Sequence, residues 1–228
     1  MRKRERGREI KGKKTKEKPR AKIYIFAEGD TEEIYLKHFE VKEYNAEVIA
    51  KDPKCTDAVG IVARARNFMK EEKLDLELGD RVYCVFDSDP LSNPNIQLAF
   101  DMIRGMAEEG MRCIFSNPSF EVWFILHLKE RVPYGLTAIQ LKEHLRRALK
   151  PVFPNYSETT DIFDWLRDKQ SLAYEREEHE PVTVEYGYII LNRKYIKEFY
   201  RMNVIHIQTC FGLLNIWRAL KRQHLADE

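Results

Sequence analysis

Between Gly79-Asp80 and Asp87-Ser88-Asp89-Pro90 the chain reads Arg81-Val-Tyr-Cys-Val-Phe86, a nearly unbroken apolar run bounded by turn formers on both sides. A strand with one wet face alternates apolar and polar side chains, whereas one this continuously apolar is covered on both faces, as strands of parallel sheets are. That segment narrows the fold to a layered α/β architecture. Lys22-Ile-Tyr-Ile-Phe-Ala27 is a second β-branched and aromatic run, and it stops at Glu28-Gly29-Asp30. Helix signals follow at once. Asp30 or Thr31 stands in cap position, Glu33 completes a capping-box spacing with Asp30, and Ile34, Tyr35, Phe39 and Val41 form an apolar stripe.

The same reading predicts a short strand over 47–50, a helix over 57–73, a helix over 95–108, a strand over 111–115 and a helix over 120–128. Strands that alternate with helices assemble into an open, mainly parallel sheet flanked by helices, with right-handed crossovers. At 228 residues the chain has room for one such domain with elaborations. We therefore expect an α/β domain over residues 22–130 and a helical annex over 131–228. The annex shows amphipathic patterns at 137–149, 159–176 and 207–221, broken by Pro151, Pro154 and Pro181, and Val182–Leu191 reads as a strand or hairpin arm.

Charge is distributed unevenly. The formal net charge is +2, yet residues 2–22 carry a dense run of Lys and Arg, Lys13 and Lys14 among them, against only Glu5, Glu9 and Glu17. The rest of the molecule is acidic on balance. A segment with so few apolar residues does not bury enough surface to offset its ordering entropy, so residues 1–21 are expected to be a disordered basic arm. Such an arm either attracts phosphate backbones through counterion release or merely solubilises the chain. Lys142, His144, Arg146, Arg147 and Lys150 form a second basic patch, and Arg64, Arg66, Arg104 and Arg112 follow the strand ends.

No run of about 18 apolar residues is present, so no membrane span is expected. The N-terminus lacks an apolar leader core, so a cytoplasmic location is expected. Cys55, Cys84, Cys113 and Cys210 form no C-x-x-C pair and suggest neither a zinc site nor a disulfide framework; Cys84, Cys113 and Cys210 read as small buried hydrophobes.

Ligand sites in open α/β sheets lie in the crevice beyond the carboxyl ends of the strands. Acidic residues gather there in the sequence: Glu28 ends the first strand, Asp87 and Asp89 end the central one, and Glu121 opens the helix after the last. Carboxylates packed together repel unless a cation or shared protons neutralise them. All-oxygen ligands of this kind suit Mg²⁺ or Mn²⁺. Read alone, Asp87-Ser-Asp-Pro90 is equally a polar turn, and Glu32 and Glu33 in a first helical turn are equally explained by the helix dipole. Glu28 is harder to explain that way, because a charge directly after an apolar strand is either paired or faces a functional crevice.

These motifs also resemble a family. Glu28-Gly29-Asp-Thr-Glu32, Asp87-Ser-Asp89 and Ser116-Asn117-Pro-Ser-Phe-Glu121-Val-Trp123 look like the RloB-like proteins of bacteria and archaea, with the match spanning about residues 20–130. The resemblance implies a Toprim-like fold, the module of topoisomerases, primases and OLD-type nucleases, and an association with restriction-modification and phage-defence loci. It implies acid-base or metal chemistry for Glu28 and Mg²⁺ binding by Asp87 and Asp89. Glu32 and Glu121 are further candidates for the chemistry, with Gly29, Ser116 and Asn117 in support. Metal-assisted phosphodiester hydrolysis on DNA or RNA is the activity implied, since no tyrosine has a local context that activates it for strand passage. Nucleic acid and a partner protein from a defence operon are the partners implied. A non-catalytic nucleic-acid or nucleotide-binding module working with such a partner is the alternative. Lys13, Lys14, Arg146 and Arg147 are the candidate nucleic-acid contacts.

Overall fold

The computed structural model describes residues 20–41, 45–89, 93–116, 118–128 and 136–179. The elements are β1 (Ile23–Ala27), α1 (Asp30–Lys37), β2 (Ala46–Ile49), α2 (Ala58–Glu71), β3 (Arg81–Asp87), α3 (Ile96–Gly105), β4 (Met111–Ser116) and α4 (Glu121–Leu128). The annex adds α5 (Ala138–Leu149), α6 (Phe163–Leu166), a 3-10 turn (Arg167–Lys169) and α7 (Gln170–His179). The single helix expected over 159–176 is thus broken in two by that turn. The patterns at 207–221 and 182–191, together with Cys210, lie outside the described residues.

The four strands form one open sheet in the order β2-β1-β3-β4, and every pairing is parallel. This is the α/β architecture the apolar strands demand, and it is consistent with the Toprim-like expectation. Strand order reverses between β1 and β3, so the crevice beyond Ala27 and Asp87 is the topological switch point.

Period-two alternation sorts the strand side chains onto two cores. Ile23, Ile25, Tyr83, Val85 and Ile114 face one layer with Tyr35 and Leu36 of α1, Trp123 and Phe124 of α4, and Leu141, Leu145 and Leu149 of α5. Tyr24, Phe26, Val82, Cys84, Phe86, Cys113 and Phe115 face the other, with Ile61 and Val62 of α2 and Phe100 and Ile103 of α3. β1 and β3 are therefore buried on both sides, which is why they read as continuous apolar runs. The annex belongs to the first core: Leu166 and Ala173 join the same cluster as Trp123. Tyr35 is its hinge point, with Phe120, Phe124 and Phe163 rings packed around it at 5.7, 5.6 and 5.1 Å. Cys84 and Cys113 are buried as expected.

Local signals are obeyed unevenly. Asp57 caps α2 by accepting from the Gly60 amide at 2.7 Å, and Thr137 and Gln140 close a full capping box on α5. The capping box expected at α1 does not form. Gly29 is the N-cap residue, Asp30 is ion-paired to Lys51, and Thr31 donates to the Glu158 carbonyl at 3.1 Å. Tertiary partners displaced the local cap, and the exchange ties α1 to the annex. Val41, placed in the α1 stripe by spacing, lies beyond the helix and is exposed. Among the described residues no helix is long and apolar enough to cross a membrane.

Candidate active site

Glu28 leaves β1 at the switch point, and its carboxylate is held in place by the neighbouring strand. Oε2 accepts from the Asp87 amide at 2.9 Å, and the Asn93 side-chain amide reaches Oε1 at 3.1 Å and Oε2 at 3.0 Å. Asn93 does more than hold Glu28. Its Nδ2 also donates to the Asp87 carbonyl at 2.7 Å, and its Oδ1 accepts from the Ala58 amide at 2.5 Å. One buried amide thereby connects the ends of β1 and β3 to the start of α2. Its backbone amide closes the turn after β3 by donating to the Asp89 carbonyl at 2.8 Å. Burial raises the Glu28 pKa above the ordinary carboxylate value, while the bonds from Asn93 and the Asp87 amide pull it back.

Three more acids meet around this latch. Glu32 on the first turn of α1 and Glu121 on the first turn of α4 are almost fully buried, at 4% and 2% exposure. Asp87 is half-buried as a residue, but its Oδ1 is sealed from solvent and has no hydrogen-bond partner among the described residues. Oε2 of Glu121 is likewise buried and forms no close hydrogen bond among the described residues, although the Ser119 side chain stands near enough to favour its ionised form. The Asp87 carboxyl is raised well above the ordinary range, first by burial and then by Glu32, Glu121 and Glu28. Glu32 is pushed up to about 8, chiefly by burial, with Glu121 and Glu28 adding to it. Burial raises Glu121 as well. Glu28, Glu32, Asp87 and Glu121 therefore lie close enough to sense one another's charge.

Gly29 leaves room in this crowding. A Cβ at that position would stand 2.6 Å from Glu32 Oε2, closer than any real side chain approaches, so the absence of a side chain lets the Glu32 carboxyl fold back against the strand end.

The annex closes the crevice. Lys142 of α5 brings its ammonium within 4.0 Å of Glu121 Oε1 and bonds Glu158 Oε1 at 2.8 Å. Its charge favours the ionised forms of Glu28, Glu32, Asp87 and Glu121, opposing the effect of burial. The Tyr156 hydroxyl is buried and unpartnered beside them, and burial with Glu121 and Glu158 raises its pKa, which keeps the phenol protonated. Spacing assigned Lys142 to a basic patch with Arg146 and Arg147. The structure separates them: Lys142 turns inward, while Arg146 and Arg147 stay exposed and bond Glu143.

The remaining candidates divide in the same way. Ser116 is buried at the end of β4, in register beside Asp87, and its carbonyl accepts from the Ser88 amide at 2.8 Å. Asp89 is half-buried on the turn that Asn93 closes. Asn117, Lys13 and Lys14 lie outside the described residues. Arg64 bonds the Ala50 carbonyl and stacks over Phe26, and Arg104 pairs with Asp101, so both have structural partners. Arg112 stands at the start of β4, at the opposite end of the sheet from the carboxylates. His127 donates from Nδ1 to the Trp123 carbonyl, and burial lowers it to about 4, so it is a neutral core histidine. Sequence reading missed Asn93 and Lys142. An Asn ahead of a Pro looks like a turn, and a Lys on an amphipathic helix looks solvated.

The side chains gathered here offer carboxylate oxygens, the donor chemistry of hard divalent cations, and Asp87 Oδ1 and Glu121 Oε2 are buried without a hydrogen-bond partner among the described residues. Among the described residues no three acidic, His or Cys side chains converge as a ligating set. Searches of curated proteins and of solved structures return no match. A family model described as RloB-like protein matches residues 23–183, starting at β1 and running through the annex helices that complete the crevice. The resemblance seen in the motifs fades near residue 130, whereas this match continues past it. Over most of its length, then, the chain has the sequence pattern of the RloB-like proteins, and it belongs to that family.

Proposed function

We propose that this protein hydrolyses phosphodiester bonds in DNA or RNA with the aid of Mg²⁺ or Mn²⁺, in prokaryotic defence and alongside a partner protein of a defence operon. The observation that carries the reading is the pair of buried, unpartnered oxygens, Asp87 Oδ1 and Glu121 Oε2, in a crevice of four carboxylates opposed by one half-buried lysine. Asp87 and Asp89, with Glu28 or Glu121, are the groups to hold the ion. When bound, such an ion neutralises phosphate charge and lowers the pKa of water. Glu32, which keeps its proton to about pH 8, is suited to give that proton to a leaving oxygen. Lys142 balances charge that develops beside Glu121. Arg146 and Arg147, exposed on the helix that carries Lys142, are the contacts for phosphate backbones, with Lys13 and Lys14 of the basic N-terminal run as further candidates.

The test is cleavage of single- and double-stranded DNA and RNA with Mg²⁺ or Mn²⁺. Wild type should cut, and Asp87→Asn with Asp89→Asn should not, while its unfolding midpoint in EDTA stays at or above that of wild type. Cleavage by that variant at the wild-type rate would overturn the proposal.

One observation favours the second reading, a non-catalytic nucleic-acid or nucleotide-binding module. Both Glu28 oxygens are already used in holding the strand ends together. Salt-sensitive binding without turnover under any metal condition is the result that selects it.

A further inference from the structure

The opposite end of the sheet carries the reverse charge. β3 begins with Arg81 and β4 with Met111-Arg112, and these residues, with Leu76, Ala107, Glu108 and Gly110, line a cavity of about 270 Å³. Register places Arg112 beside Tyr83, on the same sheet face as Arg81 and one step along the neighbouring strand. Each guanidinium is anchored through one nitrogen. Arg81 Nη1 donates to the carbonyls of Leu76 at 3.4 Å and Asp80 at 2.6 Å, and Arg112 Nη1 to those of Ala107 at 2.6 Å and Met111 at 2.7 Å.

Those bonds set the planes of both forks and leave Nη2 and Nε of each without a hydrogen bond among the described residues. A guanidinium carries five N–H donors, so most of the donor capacity remains open. Neither arginine makes an ion pair among the described residues; Glu108, on the rim, is exposed and within 4 Å of neither. Asp80, the buried acid next to Arg81 in sequence, is occupied elsewhere, accepting from the Lys22 and Asp75 amides. Arg112 is partly desolvated, and burial and Arg81 together lower its pKa.

Two like charges held side by side in a partly dry cavity destabilise the fold unless an anion joins them. We infer that the Arg81–Arg112 cavity is a binding site for a tetrahedral oxyanion, a phosphoryl group held between the two guanidinium forks. Planar forks match phosphate oxygens two at a time, and anchored forks lose little freedom on binding. The cavity lies just below the roughly 300–1,000 Å³ of small-molecule sites, so a phosphate or a small phosphorylated molecule fits and a nucleic-acid duplex does not. β3 separates this pocket from Asp87 by roughly 20 Å at about 3.3 Å per residue, so the inference is independent of the metal and of nuclease chemistry.

The experiment is calorimetric titration and thermal unfolding of the full chain in EDTA at pH 7.5 and constant ionic strength, with inorganic phosphate, with adenosine monophosphate and with adenosine. Wild type should bind inorganic phosphate saturably, with a matching rise in unfolding midpoint. Arg81→Gln and Arg112→Gln should each weaken that binding by about tenfold or more, the loss expected for a charge-assisted hydrogen-bond pair. Asp87→Asn should leave it unchanged, which separates this site from the carboxylate crevice. Tighter binding of adenosine monophosphate than of phosphate, with adenosine silent, would assign the phosphoryl group to a nucleotide; equal binding would assign it to the free oxyanion. If Arg112→Gln does not fold, Arg81→Gln decides alone. Undiminished phosphate binding in a folded variant, or no saturable binding by wild type, would overturn the site.

Discussion

The two ends of the same four strands present opposite chemistry. At the carboxyl end Glu28, Glu32, Asp87 and Glu121 crowd together against one lysine, while at the amino end Arg81 and Arg112 stand side by side and, among the described residues, pair with no acid, Glu108 of the cavity lining included. Each end concentrates one sign of charge in a partly buried space, and neither is neutralised from within. The difference lies in the supports. The acids are organised by a buried amide and by an annex helix brought in from elsewhere in the sequence, whereas the arginines rest on backbone carbonyls of their own turns. The carboxyl end is therefore a tertiary construction, and the amino end is a local one.

If so, the largest stability effect belongs to the amide latch. Asn93→Ala should destabilise the fold by about 2–4 kcal/mol in chemical denaturation, because it strands the Ala58 amide and the Glu28 carboxylate in a buried setting. A loss below about 1 kcal/mol would show that the carboxyl end holds itself together without it.

The next effect is a pH dependence. Glu32 titrates near 8 in the fold against about 4.5 in the unfolded chain, so the folded state holds the extra proton between those values and stability falls as pH rises through that window. The raised Asp87, Glu121 and Glu28 act in the same direction. His127, lowered from 6.5 to about 4, acts oppositely, contributing stability that is lost as pH falls from about 6.5 to 4. The acid cluster is thus seen cleanly from pH 6.5 to 8. Glu32→Gln should remove most of that slope, on the order of 2 kcal/mol, in urea midpoints measured across it. An unchanged slope would mean that Glu32 is not the group holding the proton.

Smaller still is the countercharge. Lys142→Met should destabilise the chain by about 1 kcal/mol at pH 8 and by less at pH 5, where the acids it faces are protonated. Equal effects at both pH values would indicate lost packing instead. Arg146→Gln, exposed and paired with Glu143 one turn back, should change stability by less than about 0.5 kcal/mol while weakening nucleic-acid binding under the proposed function.

Much of the frame was legible because it rests on short-range periodicity. Arg81–Phe86 and Ile23–Ala27 had to be covered on both faces, and helices between parallel strands are what covers them. The placement of Glu28, Asp87 and Glu121 followed from the same logic, since strand ends of a parallel sheet point one way. The α1 cap was misread because Asp30 and Thr31 have the right types for local capping but found Lys51 and Glu158 instead. Lys142 was misread because helical spacing says which residues share a face and not what that face meets.

By itself, then, the sequence determined the parallel sheet, its two apolar layers and the acidic strand ends, because each depends on patterns of two or three and a half residues. Only the tertiary structure decided that Asn93 holds Glu28 to β3, that Gly29 yields its side-chain space to Glu32, and that an annex lysine faces the acids. The Asn93–Glu28 bond joins residues 65 positions apart and the Lys142–Glu121 pair links separate helices, and no local propensity encodes partners of that kind.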